Sequence, residues 1–275
     1  FATQGSLETF LAMHELAEFP DDLDAPAVRG YSPIQVLAHE TAHRWLAYPF
    51  FRSGAANSSA LLGYQQAHWS FFFNADASLM EGHLIQDNGN GTFTISDATK
   101  RYSKLDQYLM GLRSASDVGP LFYVQPASGT GHVASDVSSP SDIGLTFSGT
   151  RRDLTVNDIM AAHGPRLPDV SVSPKTFRQA FLLLVRPGTS PSTAELEKIE
   201  RIRRRWTEFF AQATEGRANA VTTINTNAVL PVISSVAPTW GSTFGDTQIY
   251  VSGSNFGPGA KVQVGGVEAS QVNVL

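Results

Sequence analysis

The chain contains no cysteine among its 275 residues. Disulfide bonds and thiolate metal sites are therefore excluded, and a bound metal ion would need histidine, aspartate or glutamate as its protein ligands. The absence of cysteine does not identify the cellular compartment, because exported proteins can fold without disulfides.

Charged residues and long apolar runs are also scarce. Only 16 % of the residues are charged, and the net charge is −5 with histidine neutral. A negative chain is a poor general binder of nucleic acids or anionic membranes, so we expect no nucleic-acid partner. No apolar run approaches the roughly 18 residues that span a bilayer, so we expect no membrane insertion. The hydrophobic content of 42 % still allows a sizeable core, and the length predicts one or two domains.

A His-Glu-x-x-His pattern stands out from this composition, formed by His39, Glu40 and His43. Two histidines four residues apart project from the same face of a helix, so both can reach a single cation. A glutamate directly after the first histidine can take a proton from a water molecule at that cation. The pattern predicts a zinc hydrolase site with His39 and His43 as metal ligands and Glu40 as the general base.

The surrounding sequence predicts a helix for this pattern. Ser32 is a suitable N-cap, and Pro33 occupies the first helical position, where a missing N–H has no consequence. Residues 34–48 contain neither glycine nor proline, and Pro49 disfavours helix at the residue before it. We therefore expect the helix to extend from residue 33 to residue 48.

A catalytic zinc site usually has three protein ligands and one open position, so a third ligand must come from elsewhere. Pro49 stands where the longer version of the motif has its third histidine. His68 is the first candidate, because a histidine among aromatic residues would lose solvation without a partner. Glu81 is the second, as a downstream glutamate, and Asp76 and His83 remain as alternatives. An acidic residue that is not a ligand could orient a ligand histidine.

Peptide hydrolysis also needs a donor for the negative charge that develops on the carbonyl oxygen. Tyr102 and Tyr108 are the candidates. Tyr108 shares an apolar stripe with Leu105 on a short helix that Ser103 would cap, which favours a core position. Tyr102 precedes that cap, and we therefore expect Tyr102 to be the catalytic donor.

The remaining sequence predicts further elements around this site. The Asn-Gly pairs within 87–93 favour a tight hairpin turn, and 113–150 is typical of surface loops with short strands. A strand is expected at 177–185. An amphipathic helix is expected at 192–213, with the basic run 203–205 on its solvated face.

The composition changes after residue 222, where charges almost disappear and Val, Thr, Ser, Gly and Asn predominate. Short β-strands separated by Gly and Asn are expected there. The sequence therefore predicts two domains, at 1–226 and 227–275.

The motif at 39–43 resembles that of the zincin metallopeptidases. The segments 68–70, 78–82 and 102–112 are similar to recurrent blocks of bacterial metallopeptidase-like proteins, and the likeness covers about 30–125. This resemblance implies an α+β domain with an active-site helix below a small sheet. The zincin resemblance also implies that His39 and His43 bind a Zn²⁺ cofactor and that Glu40 is the general base. The likeness of the other segments supports His68 as a functional residue but supplies no known substrate. We expect a protein or peptide substrate because the motif resembles that of metallopeptidases.

The C-terminal segments 231–238, 241–243 and 251–257 resemble an IPT/TIG immunoglobulin-like domain. The resemblance implies an all-β sandwich that is incomplete here, since such sandwiches have roughly 100 residues. IPT/TIG domains are common in bacterial secreted and surface proteins. We therefore expect a secreted or cell-surface location and contact with extracellular protein or carbohydrate through this domain.

These features lead to one expected function and two alternatives. The first expectation is a zinc metallopeptidase domain followed by a partial β-sandwich. The alternative from another class is a non-catalytic adhesion or binding module, in which exposed aromatic residues near Trp69 and the sandwich bind a partner. A zinc hydrolase acting on something other than peptides is weaker, because no phosphate or sugar pocket is indicated.

Overall fold

The computed structural model of the chain describes residues 9–13, 15–27, 29–223, 232–242, 245–256, 260, 262–264 and 267–273. The chain divides into two compact units, Phe1–Thr222 and Thr223–Leu275. The domain boundary predicted between 226 and 227 lies outside the described residues. The architecture is mixed α and β with several small sheets.

The first unit contains the α-helices and the larger sheet. Its α-helices are α1 (Pro33–Ala42), α2 (Lys104–Leu109), α3 (Val156–His163) and α4 (Thr193–Ala213). Its strands are β1 (Phe51–Ser53), β2 (Ala56–Ser58), β3 (His83–Asp87), β4 (Thr92–Ala98), β5 (Pro120–Pro126), β6 (Thr146–Thr155), β7 (Thr176–Arg178) and β8 (Asn219–Val221). In the part of this unit that the structure describes, the largest sheet has four antiparallel strands in the order β3-β4-β6-β5.

The start of α1 is the one that the sequence predicts. The Ser32 hydroxyl accepts a hydrogen bond from the Gln35 amide, and the Gln35 side chain accepts one from the Ser32 amide. Pro33 begins the helix. This reciprocal capping satisfies two N–H groups that a helix start leaves unpaired, and the predicted cap is confirmed.

The end of α1 is not where the sequence predicts it, because the helix stops at Ala42. The next residue, His43, is the C-cap, and its carbonyl oxygen accepts a hydrogen bond from the Tyr48 hydroxyl at 2.9 Å. The amide of Trp45 already donates to the Ala42 carbonyl at 2.8 Å, which is the tighter spacing of a helix end. The prediction of a helix to residue 48 is wrong because this local turn competes with the helical pattern.

Helix α4 confirms the amphipathic prediction, with Ser192 capping it through Glu195. Its buried face includes Ile202, Trp206 and Phe210. The basic run at 203–205 forms ion pairs with acidic neighbours rather than a free positive patch, through Arg203 and Arg204 with Glu200 and through Arg205 with Asp24.

The four-stranded sheet changes part of the prediction for residues 113–150. Strand β5 and the first half of β6 lie in that range, which the sequence predicts as mainly loops. The hairpin of β3 and β4 is confirmed, since the two strands pair antiparallel with residues 88–91 between them. One apolar cluster associated with this sheet consists of Phe71, Phe72, Ile85, Phe93, Ile95, Phe122, Val124 and Phe147.

The strand expected at 177–185 is much shorter than predicted. Only Thr176–Arg178 forms a strand, and it pairs in parallel with Asn219–Val221. Leu182 and Leu184 are exposed, at 67 % and 82 %. The apolar run continues beyond its short partner strand, so propensity alone does not keep it in a sheet.

The buried side of α1 fixes the motif helix in the main core. Ile34, Leu37 and Ala38 belong to one large cluster of buried apolar residues, together with Trp206 and Phe210 of α4. The opposite side of α1 carries His39 and Glu40, which are half-buried. The sequence pattern therefore places His39 and Glu40 on the side of α1 that faces away from the main core.

The second unit contains short strands in its described part. These are β9 (Val232–Ala237), β10 (Tyr250–Ser254), β11 (Gln263–Val264) and β12 (Val267–Glu268), and they pair antiparallel as β9 with β10 and β11 with β12. Among the described residues of the whole chain, no helix has both the length and the apolar character needed to cross a bilayer.

Candidate metal centre

Three histidines from two distant segments converge at the open side of α1. His39 lies in the last turn of α1, His43 is its C-cap, and His68 lies in the loop between β2 and β3. One ligand atom from each lies within 4.8 Å of the others. The Nε2 atoms of His39 and His68 are 3.1 Å apart. The structure thus brings together the three histidines that the sequence favours as a ligand set.

Main-chain carbonyls orient all three rings. Each Nδ1 atom lies near one carbonyl oxygen: Leu79 for His39 at 2.9 Å, Leu46 for His43 at 3.2 Å and Tyr64 for His68 at 2.8 Å. A carbonyl oxygen can only accept, so each Nδ1 must carry the hydrogen and each neutral ring keeps its lone pair on Nε2. These outer hydrogen bonds fix the tautomer, as they do for histidines that bind metals.

The resulting set of lone pairs suits a zinc ion. The two Nε2 atoms at 3.1 Å have no hydrogen to share, so they repel each other unless a cation lies between the rings. Two nitrogens bound to a tetrahedral zinc at the usual bond length would be about 3.3 Å apart. Imidazole nitrogen is a common zinc ligand, and three protein ligands leave one position open for chemistry. The donor set and its spacing therefore fit the implied metal.

Burial keeps the rings of His39 and His68 in the form that a metal requires. Desolvation lowers the pKa of His39 to about 4, while the hydrogen bond to the Leu79 carbonyl opposes the shift and the charge of His43 adds to it. Desolvation likewise lowers the pKa of His68 to about 4. Both rings are therefore neutral at pH 7, with lone pairs available for coordination.

Glu81 lies beside the three histidines rather than among the converging ligand atoms. Its Oε1 is 4.0 Å from Nε2 of His68, and its other oxygen has no hydrogen-bond partner among the described residues. Burial raises the pKa of this carboxyl to about 7, Arg29 opposes the shift, and the negative charge of Glu40 adds to it. A buried carboxyl with a free oxygen next to three imidazoles belongs to the same polar site.

Glu40 follows His39 in α1. Its negative charge makes a small contribution that raises the pKa of both His68 and Glu81, so its carboxylate acts electrostatically on the groups of this site. The residue is half-buried and therefore still accessible to water. Its position agrees with the role of proton acceptor that the sequence predicts.

The two remaining alternatives for a ligand lie elsewhere. The carboxylate of Asp76 accepts a hydrogen bond from Arg101 at 2.6 Å. His83 is fully buried, with Nδ1 near the Phe71 carbonyl at 3.1 Å and Nε2 near Asp142 at 3.2 Å. Neither residue contributes an atom to the histidine cluster.

Tyr102 does not have the position expected of a catalytic donor, and this expectation is corrected. Its side chain is fully buried, and its hydroxyl donates to the Ala38 carbonyl of α1 at 2.7 Å. Burial also raises its pKa well above 10. The hydroxyl is thus occupied inside the core, where it supports the motif helix and is unavailable to a substrate. Tyr108 is also buried, as its apolar stripe predicts.

The aromatic residues near Trp69 are buried as well. Trp69, Phe71, Phe72 and Phe73 are each at most 2 % exposed. Trp69 and the three phenylalanines at 71–73 therefore lack the exposure that a partner-binding aromatic surface requires, whereas the nearby Tyr64 is 42 % exposed. Instead the buried side chains hold the His68 segment in the core.

Close packing also shapes the loop that carries Leu79 and Glu81. A Cβ on Gly82 would lie 2.7 Å from the Cβ atoms of Ala75 and Ser78, so only glycine fits there. The carbonyl groups that orient the histidines leave no signature in the sequence, because any residue supplies a carbonyl.

Comparison with known families adds information on the second unit. Residues 231–274 match the family model of the IPT/TIG domain. The C-terminal resemblance is therefore confirmed, and the strands from β9 to β12 lie within the IPT/TIG domain. The comparisons with curated proteins and with solved structures found no match.

Proposed function

We propose that the first unit is a zinc-dependent metallopeptidase domain of the zincin type. His39, His43 and His68 hold the metal, Glu40 is the general base, and Glu81 shares the polar site. The observation that carries the proposal is the convergence of one ligand nitrogen from each of three histidines within 4.8 Å, with a main-chain carbonyl beside each Nδ1 atom. Histidines that served only as hydrogen-bonded core residues would not need to bring one ligand nitrogen each to the same place.

The chemistry follows from the groups around that point. Zinc, when bound, supplies Lewis acidity that polarises a carbonyl group and makes water a nucleophile at neutral pH. The Glu40 carboxylate accepts the proton of the attacking water and then passes it to the leaving amine nitrogen. A zinc ion held by three neutral imidazoles would keep its positive charge uncompensated, which would favour an anionic oxygen as a further ligand.

Glu81 has two roles open to it in this mechanism. As a ligand it would add a fourth protein group, whereas beside the metal it would hold a proton or a hydrogen bond near the reacting carbonyl. The 4.0 Å from its Oε1 to Nε2 of His68, and its absence from the converging cluster, favour the second role.

The location and partners of the protein follow from the C-terminal domain. We propose a secreted or cell-surface bacterial protein, in which the IPT/TIG domain contacts extracellular protein or carbohydrate. The match at 231–274 supports this proposal. A fluorescent fusion of the full-length protein, fractionated into cytoplasm, surface and medium, tests it.

Replacing Glu40 by glutamine tests the function. Glu40→Gln keeps the shape of the side chain but removes the proton acceptor, so hydrolysis of a broad peptide library should fall by roughly 10²- to 10⁴-fold. Zinc content should remain that of the wild type, because Glu40 is not a ligand. Glu197→Gln, on the exposed face of α4, is the matched control and should leave hydrolysis unchanged. Full activity of Glu40→Gln would refute the proposal.

A second candidate is a non-catalytic binding module, and the presence of an IPT/TIG domain is compatible with it. In that case the histidine cluster would hold a structural metal. The wild-type protein would then bind zinc but cleave no peptide in the library. Glu40→Gln would show no loss of hydrolysis, because there would be no hydrolysis to lose. The burial of the aromatic residues around Trp69 removes one of the surfaces on which this alternative relied.

A further inference from the structure

A buried carboxylate, Asp106, lies between the two loops that shape the histidine cluster. Asp106 is 0 % exposed. Its Oδ1 accepts a hydrogen bond from the Trp69 indole at 2.9 Å. Its Oδ2 accepts one from the Ser78 hydroxyl at 2.5 Å and one from the Ser103 amide at 2.7 Å. Both oxygens are thus used, and every partner donates.

The first of these bonds leads to His68. Trp69 is the next residue in the chain and is fully buried. Its indole is held by Asp106, and its amide donates to the Met80 carbonyl at 3.0 Å. With both ends of Trp69 fixed, the main chain at His68 has little freedom to move.

The second bond leads to His39. Ser78 precedes Leu79, whose carbonyl oxygen orients the His39 ring. The Ser78 hydroxyl donates to Asp106 and accepts from the Met80 amide at 3.1 Å, so the loop is clamped on both sides of Leu79. A shift of this loop would move the Leu79 carbonyl and rotate the imidazole.

We propose that Asp106 is a positioning residue that fixes two of the three zinc ligands at once, His68 through Trp69 and His39 through Ser78 and Leu79. The proposal rests on the metal centre proposed above. Asp106 does not touch the metal or the substrate. It acts by holding two loops, distant in sequence, at the spacing that brings the two Nε2 atoms to 3.1 Å.

Asparagine cannot replace this carboxylate. An ionised carboxylate has acceptors on both oxygens, whereas an amide has one acceptor and one donor group. The amide NH₂ would face either the Trp69 indole or the Ser103 amide, and each of these can only donate. In the first orientation the Trp69 clamp is lost. In the second, the NH₂ group meets the Ser103 N–H, and the Ser78 hydroxyl would have to accept instead of donate, so the side chain cannot keep the same position.

The test is the zinc affinity of Asp106→Asn, measured by competition with a chromogenic chelator on the full chain. Changes to residues that orient metal ligands typically weaken metal binding by about 10- to 100-fold, and we expect a loss of this size. The visible spectrum of the Co²⁺-loaded variant should also change, because the ligand geometry is altered. If Asp106 only stabilised the fold, the Co²⁺ spectrum of the variant molecules that remain folded would be that of the wild type.

Ser103→Ala is the matched control. It removes the Ser103 hydroxyl that accepts from the Asp106 amide at 3.1 Å, and thus half of the same helix cap. The bonds from Trp69 and Ser78 to the carboxylate remain. Ser103→Ala should therefore retain the zinc affinity and Co²⁺ spectrum of the wild type, even if its thermal stability falls.

The outcomes separate the two proposals. Wild-type protein that binds no zinc would refute the proposed function itself. Wild-type affinity and an unchanged Co²⁺ spectrum in Asp106→Asn would overturn the positioning role and leave the metal centre intact. Should Asp106→Asn fail to fold, Trp69→Phe and Ser78→Ala each remove one clamp. Each should weaken zinc binding, and wild-type affinity in both would overturn the proposal.

Discussion

Replacing His68 by alanine removes one of the three converging nitrogens, and its effect on stability can be worked out. A ligand that binds only the folded state stabilises it by about 2.7 kcal/mol when present at 100 times its dissociation constant. For a unit of this size, 1 kcal/mol shifts the melting temperature by roughly 2–4 °C, so zinc should raise that of the wild type by about 5–10 °C. In His68→Ala this rise should be largely lost.

The metal-free form of the variant provides the reference. The substitution removes the hydrogen bond from His68 to the Tyr64 carbonyl, which costs about 1 kcal/mol, or roughly 2–4 °C. It also removes the repulsion between two lone pairs at 3.1 Å, which offsets part of that cost. The metal-free variant should therefore melt only slightly below the metal-free wild type.

Differential scanning calorimetry with and without added Zn²⁺ measures both effects. His132→Ala is the control, because His132 is paired with Asp136 at 3.0 Å and lies outside the cluster. It should retain the zinc-dependent rise. An equal rise in His68→Ala and in the wild type would refute the assignment of His68 as a ligand.

Three further predictions concern residues around the same centre. Glu81→Gln should retain the zinc content of the wild type in elemental analysis, because its carboxyl lies outside the converging set; loss of zinc would make Glu81 a ligand. Tyr102→Phe should lower the free energy of unfolding in urea titration by about 1–3 kcal/mol, because the Tyr102 hydroxyl donates to the buried Ala38 carbonyl. The hydrolysis rate of the folded variant should equal that of the wild type. A loss of hydrolysis without a loss of stability would restore the catalytic role of Tyr102. The metal-free wild type should lose stability relative to metal-free His68→Ala as the pH falls from about 6.5 to about 4, because in the wild type the unfolded state takes up a proton on His68 before the folded state does. The comparison removes the opposing contribution of Glu81, whose pKa is raised and which is present in both proteins. A stability difference that stays constant in urea titrations over this range would contradict the lowered pKa of His68.

The sequence was most informative where the signal is local. Ser32, Pro33 and Gln35 determine the start of α1 within one turn, and the spacing of His39 and His43 places both on one face. The sequence favours His68 as the third ligand because burying a histidine without a partner costs solvation free energy. In the structure this residue is 6 % exposed and lies in the cluster.

The expectations that failed depend on contacts between distant residues. The sequence predicts that the Tyr102 hydroxyl is available to a substrate, because Tyr102 precedes a helix cap. In the structure this hydroxyl donates to the Ala38 carbonyl of α1, which is distant in the sequence. The apolar segment after Arg178 has strand propensity but a partner of only three residues. The sequence assigns no role to Asp106, and only the fold shows that its carboxylate binds Trp69 and Ser78. None of these contacts has a periodicity or motif that sequence reasoning can detect.

The most direct test of the central claim is the X-ray absorption spectrum of the zinc-loaded protein, combined with its zinc content. The account predicts one zinc per chain, with three imidazole nitrogens at about 2.0–2.1 Å and the remaining coordination by oxygen donors. No zinc after reconstitution, or a spectrum with fewer than three imidazoles, would contradict it.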